Sequence, residues 1–446
     1  MTAIPAEPPF ALRARLLSPL ADGGLLDELD GLLETDANGR ITRVAPWSEA
    51  DAPPSVIDLR PMILMPGMVD LHAHLPQLPN AGLGSGLDLL TWLDRYIFPL
   101  ERAFDRSVAE RQAPAAFRAF AAAGTTTVVA YAALWADSTD AAFAAAEAHG
   151  IRAVIGKVMM DRITYDTEID PLEILETSLR QSDELATRWH GRDGGRLGYA
   201  FTPRFAVSCT AEMLRQSALL AERHGAYWQT HISEDGGEID EVRRLFPDAR
   251  DYLDVYDGAG ALGARTILAH AIHLSGSEVE RLVASDARVA HCPASNLFLS
   301  SGMMPLARYR EAGMTLGLGS DVAAGPEVSI FSVMRAGAVT QRVLELAGRA
   351  DHADAMRPLD WLGIGSLDGA RVLGQDDRIG SLEVGKEADL IAIDPRFTNP
   401  LPTDEPPSSA EDVASRLVFR PHPNMVRAAW VRGRLLAGPP GVDGIG

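Results

Sequence analysis

Across 446 residues the chain holds only two cysteines, Cys209 and Cys292, and only two lysines, Lys157 and Lys386. Two cysteines give no disulfide framework, so a reducing cytoplasmic setting is expected. No apolar run reaches membrane-spanning length, and no basic segment precedes a hydrophobic one at the N-terminus. Neither a spanning helix nor a secretory signal is therefore expected. Positive charge is short overall: the formal net charge of −20 argues against nucleic acid and anionic membranes as partners. An acidic surface also simply keeps a protein soluble. A glycine-rich phosphate turn is missing after the first apolar strand, which weighs against an open dinucleotide-binding sheet. What remains is ordinary for a soluble protein, 46% hydrophobic and 23% charged, and long enough for one large barrel with a smaller domain.

Apolar strands alternate with Ala/Leu-rich helical stretches through the middle of the chain, the pattern of repeated βα units around a parallel sheet. The candidate strands are 62–73, 125–133, 152–160, 197–205, 227–233, 265–272, 288–293 and 315–321. Their number and spacing predict an α/β fold, a (β/α)8 TIM-type barrel over residues 62–376. Residues 1–61 carry short apolar runs, with Asp36-Ala37-Asn38-Gly39 as a hairpin turn between two of them. Residues 377–446 have matching character in GSLEVGKEADLIAID and MVRAAWVRGRLL. The two ends are expected to pair as one small β-sandwich beside the barrel.

Chemistry-bearing residues sit at the downstream ends of these runs. His72 and His74 close MILMPGMVDLHAH, His231 closes YWQTHIS, His270 closes RTILAHA, and Asp321 closes TLGLGSD. A parallel barrel forms its site at the C-terminal mouth of the strands, so this placement can gather distant ligands around one ion. His72 and His74, two apart on a strand, leave the same face. Three imidazoles and one carboxylate, His72, His74, His231 and Asp321, suit zinc, with iron sharing the same ligand types. Asp70 stands where it can orient a ligand from behind. Glu234, three past His231, can lean over the ion as a general acid/base; it is otherwise the start of a solvated acidic run. His270 is either a further ligand or a hydrogen-bonding partner of the attacking water. His291 either contacts substrate or pins its loop, and Cys292 has no base beside it to make it a nucleophile. Lys157 and Lys386 do not end a middle strand, so no lysine is placed to bridge a second metal.

These motifs, PGMVDLHAH, THISE, LAH and GSD, resemble those of the amidohydrolase superfamily. Within its metal-dependent aminohydrolase branch, the chain is similar to the barrel-type guanine deaminase family through Gln77, TWLDRYIFPLE at 91–101, GKVMMD at 156–161, PRF at 203–205, HCPASNLFLSSG at 291–302 and GLGSDVAAG at 317–325. The departures, Leu71 and Ala73 near the histidine pair and Ala323-Ala324 after Asp321, touch no ligand position. The resemblance implies one zinc per chain on His72, His74, His231 and Asp321, and substrate contacts from Gln77, Arg204, Phe205, His231 and Glu234. It further implies catalytic roles for Glu234, His270 and Asp321, hydrolytic deamination of guanine to xanthine and ammonia, and a homodimer. An arginine fork suits the O6 and N7 acceptors of guanine, and a phenyl ring suits its flat face. The alternative is a sibling aminohydrolase acting on another purine, a pterin, a triazine or an adenosine derivative.

Overall fold

Strands with alternating apolar residues and strands that are apolar throughout separate into two sheets in the computed structural model, which describes residues 4–162, 170–349, 356–401 and 408–438. The N-terminal end supplies β1 (Ala11–Pro19), β2 (Leu25–Thr35), β3 (Ile41–Pro46) and β4 (Ile57–Pro66). Nine strands follow: β5 (Met68–His74), β6 (Thr125–Tyr131), β7 (Arg152–Gly156), the short β8 (Val158–Met159), β9 (Leu197–Pro203), β10 (Tyr227–Ile232), β11 (Thr266–His270), β12 (Arg288–His291) and β13 (Leu316–Leu318). The C-terminal end adds β14 (Leu390–Ile393), β15 (Val426–Val431) and β16 (Arg434–Leu435).

The two chain ends share one seven-stranded sheet in the order β16-β15-β14-β4-β1-β2-β3. Its side chains alternate as a period of two requires. Leu64, Leu390, Ala392, Ala428 and Trp430 join Leu12, Leu16 and Leu33 in the sheet's own core. Their neighbours Ile63, Met65, Ile391, Ile393 and Ala429 face the barrel's core instead. The predicted hairpin turn is present between β2 and β3: Asp36 Oδ1 accepts the N–H groups of Asn38 and Arg40, each at 2.9 Å. Gly39 turns with φ 73° against the carbonyl of Arg432, where a Cβ has no room.

The run expected as one strand at 62–73 is two strands. Pro66 ends β4, and Gly67 lies so close to Thr126 that a Cβ would come within 2.0 Å of its hydroxyl. Past this point β5 pairs with the barrel alone. β5, β6, β7, β9, β10, β11, β12 and β13 then run side by side in parallel, while β8 extends along β9. Every residue of β5, β6, β9 and β10 is buried, as parallel strands covered on both faces must be. The round is completed by hydrogen bonds just past β13: Asp321 N–H to His72 O at 2.7 Å, and His74 N–H to Val322 O at 3.0 Å. Two metal-type residues thus join the first and last strands.

Helices cover the outside. Ala211–His224 is representative: the Thr210 hydroxyl caps its start by accepting the Met213 N–H, and Gly225 ends it in the left-handed region. Its buried side chains, Met213, Leu214, Ser217, Ala218 and Ala221, recur at helical spacing. Truncating one such residue, Leu214 to Ala, is expected to cost about 2–5 kcal/mol. No helix among the described residues is long and apolar enough to cross a membrane.

Candidate active site

The strand ends meet where the fold predicts. Four buried residues, His72, His74, His231 and Asp321, form a group able to hold a metal ion. His74 Nε2 lies 3.3 Å from both His72 Nε2 and His231 Nε2. Asp321 Oδ1 lies 3.2 Å from His72 Nε2 and 3.3 Å from His74 Nε2. Ring nitrogens that face one another this closely cannot all carry protons, so the arrangement calls for a shared cation. Tyr131 lies against three of the rings, its centroid 4.9, 4.6 and 5.0 Å from those of His72, His74 and His231.

The backbone around these side chains is held in an uncommon shape. Ser233, His270, Ala271 and Asp321 all have positive φ, between 48° and 73°, a conformation that costs a non-glycine residue about 1–3 kcal/mol. Gly319 permits the approach of β13 to β5, since a Cβ there would meet His72 Cβ at 2.7 Å and Cys292 Sγ at 2.9 Å. Asp70 acts on the backbone, not on a ring: its Oδ1 accepts the N–H groups of His72 at 3.2 Å and Ser320 at 2.9 Å, and burial raises its carboxyl to about 6.

Ring orientation comes from partners behind the ligands. His231 Nδ1 donates to the carbonyl of Arg204 at 2.6 Å, which leaves Nε2 facing the cluster. His270 Nδ1 donates to Asn296 Oδ1 at 2.9 Å. Its Nε2, without a hydrogen-bond partner among the described residues, sits 3.4 Å from Glu234 Oε2 and 3.8 Å from Asp321 Oδ2. Glu234, His270 and Asp321 form a second convergent group sharing Asp321 with the first.

Electrostatics separates the two carboxylates. Burial pushes the Glu234 carboxyl well above its usual range, and the charge of Asp321 adds to this. Burial would raise Asp321 as well, but the neighbouring imidazole of His72, then those of His74 and His270, hold it well below the carboxylate range. Ser295 donates its hydroxyl to Asp321 Oδ2 at 2.6 Å. Burial lowers His270 to about 4 and His74 to about 3, and carries His231 well below the imidazole range. The site therefore holds neutral imidazoles at His74, His231 and His270 beside one ionised aspartate, with a glutamate that retains a proton readily. This is a combination suited to general acid/base work.

A cleft opens over this group. His74, His231, Glu234 and Asp321 line it on one side, Gln77, Arg204 and Phe205 on another, and Leu89, Trp92, Leu93 and Leu299 close it. All the predicted site residues except His72 and His270 line the cleft, and those two stand in the two acid/imidazole groups beside it. His291 does not line it: the ring is fully buried at the end of β12. The pinning of this loop is done by Asn296 through His270.

Two participants were not legible in the chain. Glu101 is fully buried at the end of the 91–101 segment, and it receives Arg204 Nη1 at 2.6 and 2.5 Å on its two oxygens. It also receives Gln77 Nε2 at 2.8 Å and lies 4.0 Å from His74 Nδ1. One carboxylate thereby joins the metal-type cluster to both polar residues of the cleft. Ser295 is the other. In the segment 91–101, Trp92 and Leu93 cap the cleft, and Glu101 packs inward.

Three histidines and an aspartate at the mouth of a parallel barrel, with a glutamate and a fourth histidine beside them, define a metal-dependent hydrolase site. Residues 63–436 match the model of the Amidohydrolase family, and the chain belongs to that family. Within it the chain is 37% identical over 384 residues to the probable guanine deaminase of Deinococcus radiodurans, spanning 84% of this chain and 85% of that one. Guanine deaminase from C. acetobutylicum, solved with guanine bound in its active site, superposes with a TM-score of 0.87 at 28% identity over 96% of this chain and 99% of that one. An adenosine deaminase from Xanthomonas campestris, solved with bound zinc, gives 0.82 at 27% identity over 98% and 96% of the two chains.

Proposed function

We propose that the chain is a zinc-dependent aminohydrolase that converts guanine and water to xanthine and ammonia. The observation that carries this reading is the cleft itself, with acid/imidazole chemistry at one end and Arg204, Gln77 and Phe205 at the other.

His72, His74, His231 and Asp321 would hold the ion. Four of their donor pairs lie 3.2–3.3 Å apart, close enough to share one small cation, and three imidazoles with a carboxylate are a donor set that suits zinc. Lys157 donates to Ser178 Oγ on the helix Pro171–Trp189 and does not line the cleft, consistent with one metal per chain. A bound zinc supplies Lewis acidity, which makes a water nucleophilic near neutral pH.

The chain's own residues do the remainder. Arg204 presents its fork to O6 and N7, Phe205 covers the ring face, and Gln77 meets the remaining edge; Glu101 holds both polar groups in place. Asp321 and His270 orient the water toward C2. Glu234 takes a proton from that water as the C2–O bond forms and gives it to the ring nitrogen beside C2. The second water proton passes to the exocyclic amine, the C2–N bond breaks, and ammonia leaves. The catalytic barrel in this reading is 62–376, supported by 1–61 and 377–446. A homodimer is part of the proposal, for which Val339, Val343 and Leu346 offer an exposed apolar edge on the helix Ile330–Leu346.

The test is ammonia release from guanine by the purified, zinc-loaded protein, beside adenine, cytosine, 8-oxoguanine and a pterin. Guanine turnover well above the others is expected. Silence on guanine with activity on another ring would overturn the assignments of Gln77, Arg204 and Phe205.

A further inference from the structure

Behind the cleft lies a set of buried groups that the scheme above leaves unused. Glu238 is fully buried. Its Oε2 accepts the backbone N–H of Glu234 at 2.9 Å and that of Asp235 at 3.3 Å, and its Oε1 accepts the hydroxyl of Tyr252 at 2.6 Å. Tyr252 and Tyr256 share one face of the helix Tyr252–Gly258, with their hydroxyl oxygens 3.4 Å apart. The Tyr256 hydroxyl donates to the carbonyl of His231 at 2.7 Å and accepts the N–H of Ala206 at 3.1 Å.

Part of this is ordinary helix chemistry. Asp235 and Glu238 form a capping box at the start of Gly236–Leu245, which requires only that Glu238 take the Asp235 N–H. The Glu234 N–H and the buried tyrosine go beyond a cap. Glu234 is also fixed from its other side: Ser233, with φ 48°, has its carbonyl taken by the N–H groups of Ile272 at 3.1 Å and His273 at 3.2 Å. The backbone on which the proton carrier stands is therefore held from two directions. The tyrosine pair ties the same unit to a ligand, His231, and to the turn that bears Phe205.

We infer that Glu238 and Tyr252 are positioning residues that hold Glu234 at its working distance from His270 and Asp321, while Tyr256 keeps the Phe205 turn in register with His231. The inference rests on the reading of Glu234 as proton carrier in guanine deamination. It assigns no contact with substrate to any of the three.

The experiment compares zinc-loaded, full-length wild type with E234Q, E238A, E238Q and Y252F, measuring kcat and KM for guanine, zinc content and Tm. Wild-type turnover with loss in E234Q establishes the underlying reading; a silent wild type or an active E234Q defeats that reading and the inference with it. With the reading intact, E238A is expected to lower kcat about ten- to a hundredfold, the scale of a small misplacement of a catalytic group. KM should change little and zinc should stay near one per chain. Gln at 238 keeps an oxygen for the two N–H groups and an amide to face the Tyr252 oxygen, so E238Q should recover most of kcat. Y252F, which removes one hydroxyl, carries the test if E238A does not fold, and should lower kcat by about three- to tenfold. Wild-type kcat in Y252F together with E238A, or a loss that tracks zinc or Tm and is not recovered by E238Q, would overturn the inference.

Discussion

The barrel holds buried ionisable clusters at both ends, and they are built on opposite terms. At the start of β7 the Arg152 side chain, fully buried, donates to Glu387 at 2.5 Å, Asp389 at 2.9 Å and Gln375 at 3.4 Å. Arg432 and Arg378 close on the same Glu387 at 2.8 and 2.7 Å. Donors and acceptors answer one another there, and the cluster fastens barrel to sheet. At the other end, imidazole nitrogens face each other, His270 Nε2 lacks a partner among the described residues, and Glu234 is pushed toward its protonated form. A buried polar network that is satisfied holds a structure together, whereas one left unsatisfied stores need for a ligand. The difference marks the second cluster as the working end.

Single substitutions should pull the two apart. E234Q is expected to lose about 10²–10⁴ in turnover, the range of a general acid/base, while keeping its zinc. Because burial and the Asp321 charge work against an ionised Glu234, E234Q should also be no less stable than wild type. Urea unfolding would check this, and a large drop in its midpoint would contradict the unsatisfied reading of the mouth. R152M should behave in reverse. It takes the buried cation from Asp389, leaves Glu387 only the part-buried Arg378 and Arg432 of its three arginines, and should cost about 3–5 kcal/mol of unfolding stability, with KM for guanine unchanged. A shifted KM would mean that the two ends are not independent.

Arg204 lies between these cases, since its side chain belongs to the cleft but ends on the buried carboxylate of Glu101. R204A should raise KM for guanine about tenfold to a hundredfold, the worth of a hydrogen bond to a charged group. It should also lower stability, because the buried carboxylate of Glu101 loses a charged donor to both of its oxygens while the Gln77 amide stays at 2.8 Å. An unchanged preference for guanine, measured against adenine, would remove Arg204 from substrate recognition.

The parts of this design differ in how far they could be read from the chain. Ligands stood out because each ends an apolar run: His72 and His74 at a strand spacing of two, then His231 and Asp321, which the barrel brings together by topology alone. Gly319 gains its meaning only in the fold, where a Cβ would meet His72 and Cys292. Arg204 and Phe205 carried no local signal and came only from the resemblance. Glu101 carried none that could be separated from a helix start, because its meaning depends on Arg204, more than a hundred residues away. Glu238 read only as part of the solvated acidic run after Glu234, whereas it is buried and caps a helix; its tie to Tyr252 and through it to the Tyr256–His231 contact is set by helix packing that periodicity does not specify. The strand at 62–73 divides because Gly67 meets Thr126, a contact visible only across strands.

Acid should act on the saturated end with a sign opposite to that of an ordinary buried carboxyl. Burial alone would raise Glu387, but the charge of Arg152, with Arg432 and Arg378 beside it, brings its carboxyl down to about 2. An unfolded glutamate titrates near about 4.3, so the folded state binds this proton less readily than the unfolded one. The stability from Glu387 is therefore complete above the unfolded value and is lost as pH falls through it toward 2. Other buried groups titrate in and above this window with both signs, as burial raises Glu238 to about 7 and lowers His270 to about 4. Their contributions are shared by wild type and E387Q, so the informative quantity is the gap in unfolding free energy between the two proteins. That gap should be constant from pH 7 to about 5 and shrink steadily between about 4.5 and 2.5. A gap that stays level into acid would mean that the three arginines do not hold Glu387 ionised, and the contrast between the two ends of the barrel would lose its electrostatic basis.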